Sequence, residues 1–149
     1  MILDERSEFC DATALNTGAA ASYLVGDVMD LSVIGADIGQ GTDVYLVIGV
    51  DTTATSGGSA TGAFHLCSDA QAAIAVDGTA TYHFSSSAIP VATLVAGYQI
   101  CAIKLPLGTY ERYLGILQTT AVAAFTAGKI NAFLTTDVAK IKHYADATN

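Results

Sequence analysis

Between Val44 and Val50 the chain reads Val44-Tyr45-Leu46-Val47-Ile48-Gly49-Val50, seven residues without a charge. β-Branched, aromatic and aliphatic types in so short a run read as a strand buried on both faces. The next twelve residues, Asp51 to Gly62, are small and polar, and carry the adjacent pair Gly57-Gly58. Paired glycines mark a turn or loop. Ala63-Phe64-His65-Leu66-Cys67 then returns as a second apolar run. Strand, Gly-Gly loop and strand predict a long antiparallel hairpin spanning Val44 to Asp69, and few folds other than all-β ones are organised around such an element.

The rest of the chain follows the same pattern. Residues 1–26 are mixed, with a turn at Leu15-Asn16-Thr17-Gly18, and read as an arm and entry loop. Asp27 to Leu31 is the first expected strand. Gly35 to Asp43 is a loop dense in residues that tolerate positive φ. Residues 70–75 fit a helical turn or a strand, and Asp77-Gly78 is a turn signal. Thr79 to Ser85 alternates, which predicts Tyr82 and Phe84 on one face and Thr81 and His83 on the other. Pro90 favours an edge or a loop. Further strands are expected over 98–104, 113–118, 122–126 and 129–135. A short helix is expected over 137–147, capped by Asp137, with Val138 and Ile141 on one side. About eight strands with regular turn signals predict a jelly-roll-like antiparallel β-sandwich. An immunoglobulin-like sandwich fits less well, because the chain has no tryptophan and no suitable cysteine pair.

The 149 residues fit one domain, 1–149, able to bury a core without disulfide or metal. Mean hydropathy is +0.46, but alanine supplies much of it. The longest weakly polar segment, Ile89 to Ile103, is interrupted by Pro90, Thr93, Gly97 and Gln99 and falls short of the ~20 apolar residues of a membrane span. The acidic N-terminus lacks the basic and apolar regions of a signal peptide. Net charge is −8, and the six Lys and Arg residues are scattered, which argues against nucleic acid as a partner. The charge is uneven: residues 1–77 carry −10 and residues 78–149 carry +2. Such asymmetry suits either simple solubility or a partner of complementary charge. Cys10, Cys67 and Cys101 are too few and too widely spaced for a disulfide framework, and fit cytoplasmic assembly.

No chemistry-bearing motif emerges. Ser56-Gly57-Gly58-Ser59 lacks the Gly-Lys-Ser/Thr of a phosphate loop. His65, His83 and His143 have no second ligand at metal spacing, although the strands of His65 and His83 can be neighbours. Asp4, Glu5, Glu8 and Asp11 lack the loop pattern of a calcium site and read as a solvated or partner-facing arm. No nucleophile elbow is present. These readings imply no catalytic residue, no cofactor and no metal. One cluster stands apart. Tyr110-Glu111-Arg112-Tyr113 places two aromatics and two opposite charges after the Leu105-Pro106-Leu107-Gly108 turn. Tyrosine and arginine are the residues of interface hot spots, and Arg112 can clamp a carboxylate bidentately, in this chain or on a partner. The competing reading is a strand entry with a surface ion pair.

Several segments resemble, in order, the capsid cement proteins of tailed phages of the Bordetella-phage type. They are Met1 to Asp11, Leu15 to Gly18, Gly26-Asp27-Val28, Tyr45 to Ile48, Thr55 to Gly58, Tyr110 to Gly115, Lys129 to Leu134 and Tyr144 to Ala147. The resemblance spans nearly the whole chain. It implies a non-enzymatic jelly roll, made in the bacterial host cytoplasm and bound as a homo-oligomer to the outside of the virion capsid. The partner it implies is a major capsid protein of HK97-like fold. It does not say which residues touch the shell. Residue chemistry alone nominates Glu5, Arg6 and Phe9 on the arm, and Tyr110, Glu111, Arg112 and Tyr113 at the corner. A two-fold homodimer is the expected assembly, with a trimer as the alternative. Rival expectations are a glycan-binding or adhesion module, disfavoured by the lack of tryptophan, and a small β-sandwich enzyme, which no motif supports.

Overall fold

The structure is a computed structural model and describes residues 5–32, 38 and 41–138. A 3-10 turn, Glu5–Ser7, leads into nine strands. These are β1 (Glu8–Ala14), β2 (Ser22–Asp30), β3 (Tyr45–Ser56), β4 (Thr61–Asp69), β5 (Thr81–Ser85), β6 (Ile89–Pro90), β7 (Gln99–Lys104), β8 (Tyr113–Ala121) and β9 (Phe125–Thr135). They form two antiparallel sheets, one in the order β1-β9-β3-β7 and one in the order β2-β8-β4-β5, with β6 short and paired to β4. The pairings β1·β9, β2·β8, β3·β7 and β4·β5 are the rungs of one long antiparallel ribbon that turns back between β4 and β5. Rolling that ribbon lays β9 on β3 and β8 on β4. This is the strand order of a jelly roll. The helical turns expected over 137–147 lie outside the described residues beyond Val138, as does most of the loop expected over 35–43.

The rolled topology sorts the connections to two ends. Residues 31–32 and 41–44 and loops 70–80 and 105–112 sit at the end where β1 begins and β9 finishes, the proximal end. Loops 15–21, 57–60, 86–98 and 122–124 sit at the opposite, distal end. Between the sheets, alternate residues of each strand interdigitate. Leu46, Ile48 and Val50 of β3 and Ile130, Ala132 and Leu134 of β9 meet Phe64 and Leu66 of β4 and Leu114 and Ile116 of β8. Each fully buried side chain of this size contributes about 1.5–3 kcal/mol relative to exposure. A second, smaller cluster lies on the outer face of the β2-β8-β4-β5 sheet, where the 70–80 loop folds back and Ile74 and Ala80 cover Cys67 and Leu117.

Four sequence expectations are corrected. The Val44–Asp69 hairpin is instead an arch: β3 and β4 belong to different sheets, and residues 57–60 carry the chain across the sandwich with Ala60 buried. The partners of β3 are β9 and β7, which come from the second half of the chain. Secondly, residues 1–26 are not simply an arm. Glu8–Ala14 is strand β1 of the first sheet, and β2 begins at Ser22. Bulges hid both strands: register shifts interrupt β1 twice, with Ala12 at φ 44°, and β2 between Val25 and Met29, around Gly26 at φ 74°. Each bulge breaks the two-residue alternation by which a strand is read. Thirdly, Leu66 pairs with Phe84 and Cys67 with Tyr82, so a bulge at His83 turns Phe84 toward the core and leaves Tyr82 39% exposed. Val122 to Ala124 is the β8–β9 turn and not part of a separate strand.

Candidate interaction surface

The corner Tyr110-Glu111-Arg112-Tyr113 is where the 105–112 loop enters β8. Its first residue faces inward. Tyr110 is 2% exposed, its hydroxyl donates to the Pro106 carbonyl at 2.6 Å, and its ring stacks on His83 at 4.0 Å between centroids. Behind that stack the buried Ser68 Oγ accepts the Glu111 N–H at 3.1 Å and lies 2.7 Å from His83 Nε2. Ser68 thus ties the Glu111 backbone and the His83 ring to β4 through one hydroxyl. Burial holds the His83 pKa below 6.5. Tyr110 is therefore a core anchor that fastens the loop to β4 and β5, and its candidacy as a contact side chain is withdrawn.

Arg112 faces outward and is already clamped. Its Nε and Nη2 donate to Asp30 Oδ1 and Oδ2, both at 2.9 Å, so the bidentate carboxylate is the chain's own. The Ser32 N–H also donates to Asp30 Oδ1 at 2.8 Å. The guanidinium first, and that N–H second, hold the Asp30 carboxyl below the usual carboxylate range. The same guanidinium lies 5.0 Å from the Tyr113 ring centroid. The cross-strand register that pairs Asp30 with Tyr113 brings these groups together. Exposed pairs of this kind add little to stability, so the arrangement orients the side chains more than it holds the fold.

Of the N-terminal candidates, Phe9 is 1% exposed and packs in the main core. Two consecutive residues of bulged β1, Phe9 and Cys10, both point inward, so Phe9 cannot reach a neighbour and is also withdrawn. Glu5 and Arg6 are exposed. They line a groove of about 360 Å³ with Glu8, Asp27, Val28, Met29 and Asp30. Burial first, and then the nearby carboxylates of Asp11 and Glu5, push the Glu8 pKa up. Because Asp30 belongs both to this groove and to the Arg112 clamp, the structure joins Glu5, Arg6, Arg112 and Tyr113 into one surface at the proximal end. Glu111 is half-buried beside it. Beyond Met29 a second, apolar groove of about 370 Å³ is lined by Leu31, Val44 and Leu134.

Sequence reasoning missed Asp30, Asp27 and Met29. Asp27 and Asp30 sit three residues apart in β2, as Glu8 and Asp11 do in β1, and the bulge at Gly26 decides which way they face. His65 and His83 lie on adjacent strands but do not pair with one another. His65 bonds Ser85 Oγ through Nδ1 at 2.8 Å and Thr119 Oγ1 through Nε2 at 3.0 Å. All three cysteines are buried and unpaired; burial pushes Cys10 and Cys67 up to about 12 and Cys101 to about 11, so the thiols stay protonated. Among the described residues, no three His, Cys, Asp or Glu side chains are grouped as a metal site requires. No described helix is long and apolar enough to cross a membrane.

Comparison with known families adds one finding. The family model named Bbp16 matches residues 9–134. The chain belongs to the Bbp16 family. The name is that of a Bordetella phage protein family, in agreement with the resemblance read from the sequence. The Bbp16 match starts at the second residue of β1 and stops one residue short of the end of β9, so it is coextensive with the jelly roll. The Tyr110–Tyr113 corner lies within it, whereas Glu5 and Arg6 precede it. No curated protein matches the chain.

Proposed function

We propose that this protein is a capsid cement protein. In this reading it sits on the outer surface of a tailed-phage head as a homodimer and bridges subunits of an HK97-like major capsid protein. It is made in the host cytoplasm, acts without catalysis or cofactor, and becomes part of the virion. Membership of the Bbp16 family supports the phage setting. The observation that carries the reading is the proximal surface. Glu5, Arg6, Asp30, Arg112 and Tyr113 come from the N-terminal turn, β2 and the β8 entry, and meet on one rigid end of the sandwich.

A cement protein acts by linkage. Each contact with a shell subunit can be modest, about 800 Å² per partner for a standard interface. A stiff body that holds two such contacts makes the second binding nearly intramolecular, so subunits under outward load separate less easily. The jelly roll supplies stiffness, since its sheets close on a continuous core. The acidic proximal surface suits basic patches on the shell, which would speed and orient docking. The test is to mix purified protein with capsids that lack it and measure co-sedimentation. Charge reversal, Arg112→Glu, should weaken binding at least about tenfold, as loss of a central arginine does at interfaces. Full occupancy by R112E would remove the proximal surface from the interface.

A further inference from the structure

The charged residues of this chain are confined in a way that neither the proximal surface nor the family match explains. Residues 13–22, 52–64, 84–103 and 114–128 contain no Asp, Glu, Lys, Arg or His. They are distant in sequence, yet all four loops of the distal end fall within them, and 99–103 and 114–121 continue from those loops along β7 and β8. On a chain of net charge −8, the distal loops thus carry no Asp, Glu, Lys, Arg or His among the described residues. That end is not inert. Val122 is 74% exposed and Val95 45% exposed. Val122 also occupies a strained turn. The Ala123 N–H donates to the Ala121 carbonyl at 2.9 Å, and Val122 sits at φ 69°, the positive-φ γ-turn that β-branched residues rarely adopt.

We infer that the distal end is the surface through which a second copy of this chain docks, tip to tip about a two-fold axis. This takes the homodimer from the proposed function and assigns its interface. Charge selects the occupant. Two identical chains each carry −8, and contact through any face bearing the acidic residues sets like charges against one another. Among the described residues, the distal end lets copies meet without that cost, and depletion of charge is the mark of an interface centre. A twelve-residue strand such as β3 spans about 40 Å, several times the ~8 Å over which physiological salt screens charge. Tip-to-tip docking therefore holds the acidic proximal ends beyond each other's reach and leaves both free for the shell. An isologous contact would set the Val122 turn of one copy against the distal loops of the other, with Val95 at its margin.

The experiment is the mass of the free protein in solution by light scattering and sedimentation, without capsids. Wild type is expected near twice 15.2 kDa, with association little changed by added salt because the charged ends lie beyond screening range. Val122→Glu and, separately, Val95→Glu should weaken association at least about tenfold while thermal midpoints hold, since both side chains are exposed. Leu107→Glu, at a 97% exposed residue of the proximal end, should leave the dimer intact. A monomeric wild type, a dimer that survives both valine changes, or dissociation by L107E would each overturn the inference. An intact V122E dimer that no longer binds capsids would give the distal end to the shell and overturn it likewise. Loss of capsid binding by R112E with the dimer intact tests the cement reading alone.

Discussion

A Cβ on Gly26 would lie 2.1 Å from the Phe9 carbonyl oxygen and 2.4 Å from Cys10 Sγ. Gly26 is also at φ 74°, in the bulge that lets β2 close against β1 at the edge of the sandwich. Neither neighbour can yield, because one is backbone and the other is buried. Gly26→Ala should therefore destabilise by at least the ~1–3 kcal/mol of a strained backbone, read as a lower denaturant midpoint at unchanged slope. His83 and His65 make a second statement at this scale. Burial lowers both pKa values below 6.5 in the folded state, so the unfolded chain takes up protons first as pH falls. Their contribution is present above pH 6.5 and is lost as pH drops through the lower folded-state values. The thermal midpoint should fall as pH is lowered below 6.5, and His83→Gln should flatten that slope. A slope unchanged in H83Q would place the pH dependence on the carboxylates instead.

Single elements show what was legible in the sequence. The apolar runs of β3, β4, β8 and β9 are readable because each keeps its alternation or stays buried on both faces. The connectivity was not. A Gly-Gly loop of four residues serves a hairpin and an arch equally, and only the partners of β3, supplied by β7 and β9, decide between them. The count of eight long strands was reached with one false member, 122–126, and one omission, β1, whose bulges and acidic residues gave it the look of an arm. At the candidate surface, Arg112 was found by type but its partner Asp30 was not, because the pairing depends on a register shift in β2. Burial of Tyr110 and Phe9 was likewise unreadable, since an aromatic beside charged residues fits an anchor as well as a contact. The β1–β2 loop carries a further prediction. Buried Gln118 accepts from the Asn16 N–H at 2.9 Å and donates to the Asn16 carbonyl at 3.1 Å and Thr120 Oγ1 at 2.8 Å. Gln118→Leu strands those groups and should cost about 1–3 kcal/mol, measured by chemical denaturation. Val122→Gly should act in the opposite direction at the neighbouring turn, raising the thermal midpoint by relieving positive φ.

Across the whole molecule, one topology separates two kinds of surface. The proximal end carries the Asp30–Arg112 and Asp43–Lys104 ion pairs and the acidic groove. Among the described residues, the distal loops carry no Asp, Glu, Lys, Arg or His and present Val122. Between them lies a continuous apolar core. That division is what a linker of shell subunits requires: one end for the shell, one for its own copy, and a stiff body between. The account is tested most directly by the temperature at which capsids lacking the protein come apart, measured with and without saturating purified protein. Bound protein in the sedimented capsids together with a disruption temperature raised by several degrees is the expected result. No bound protein and an unchanged disruption temperature would contradict it.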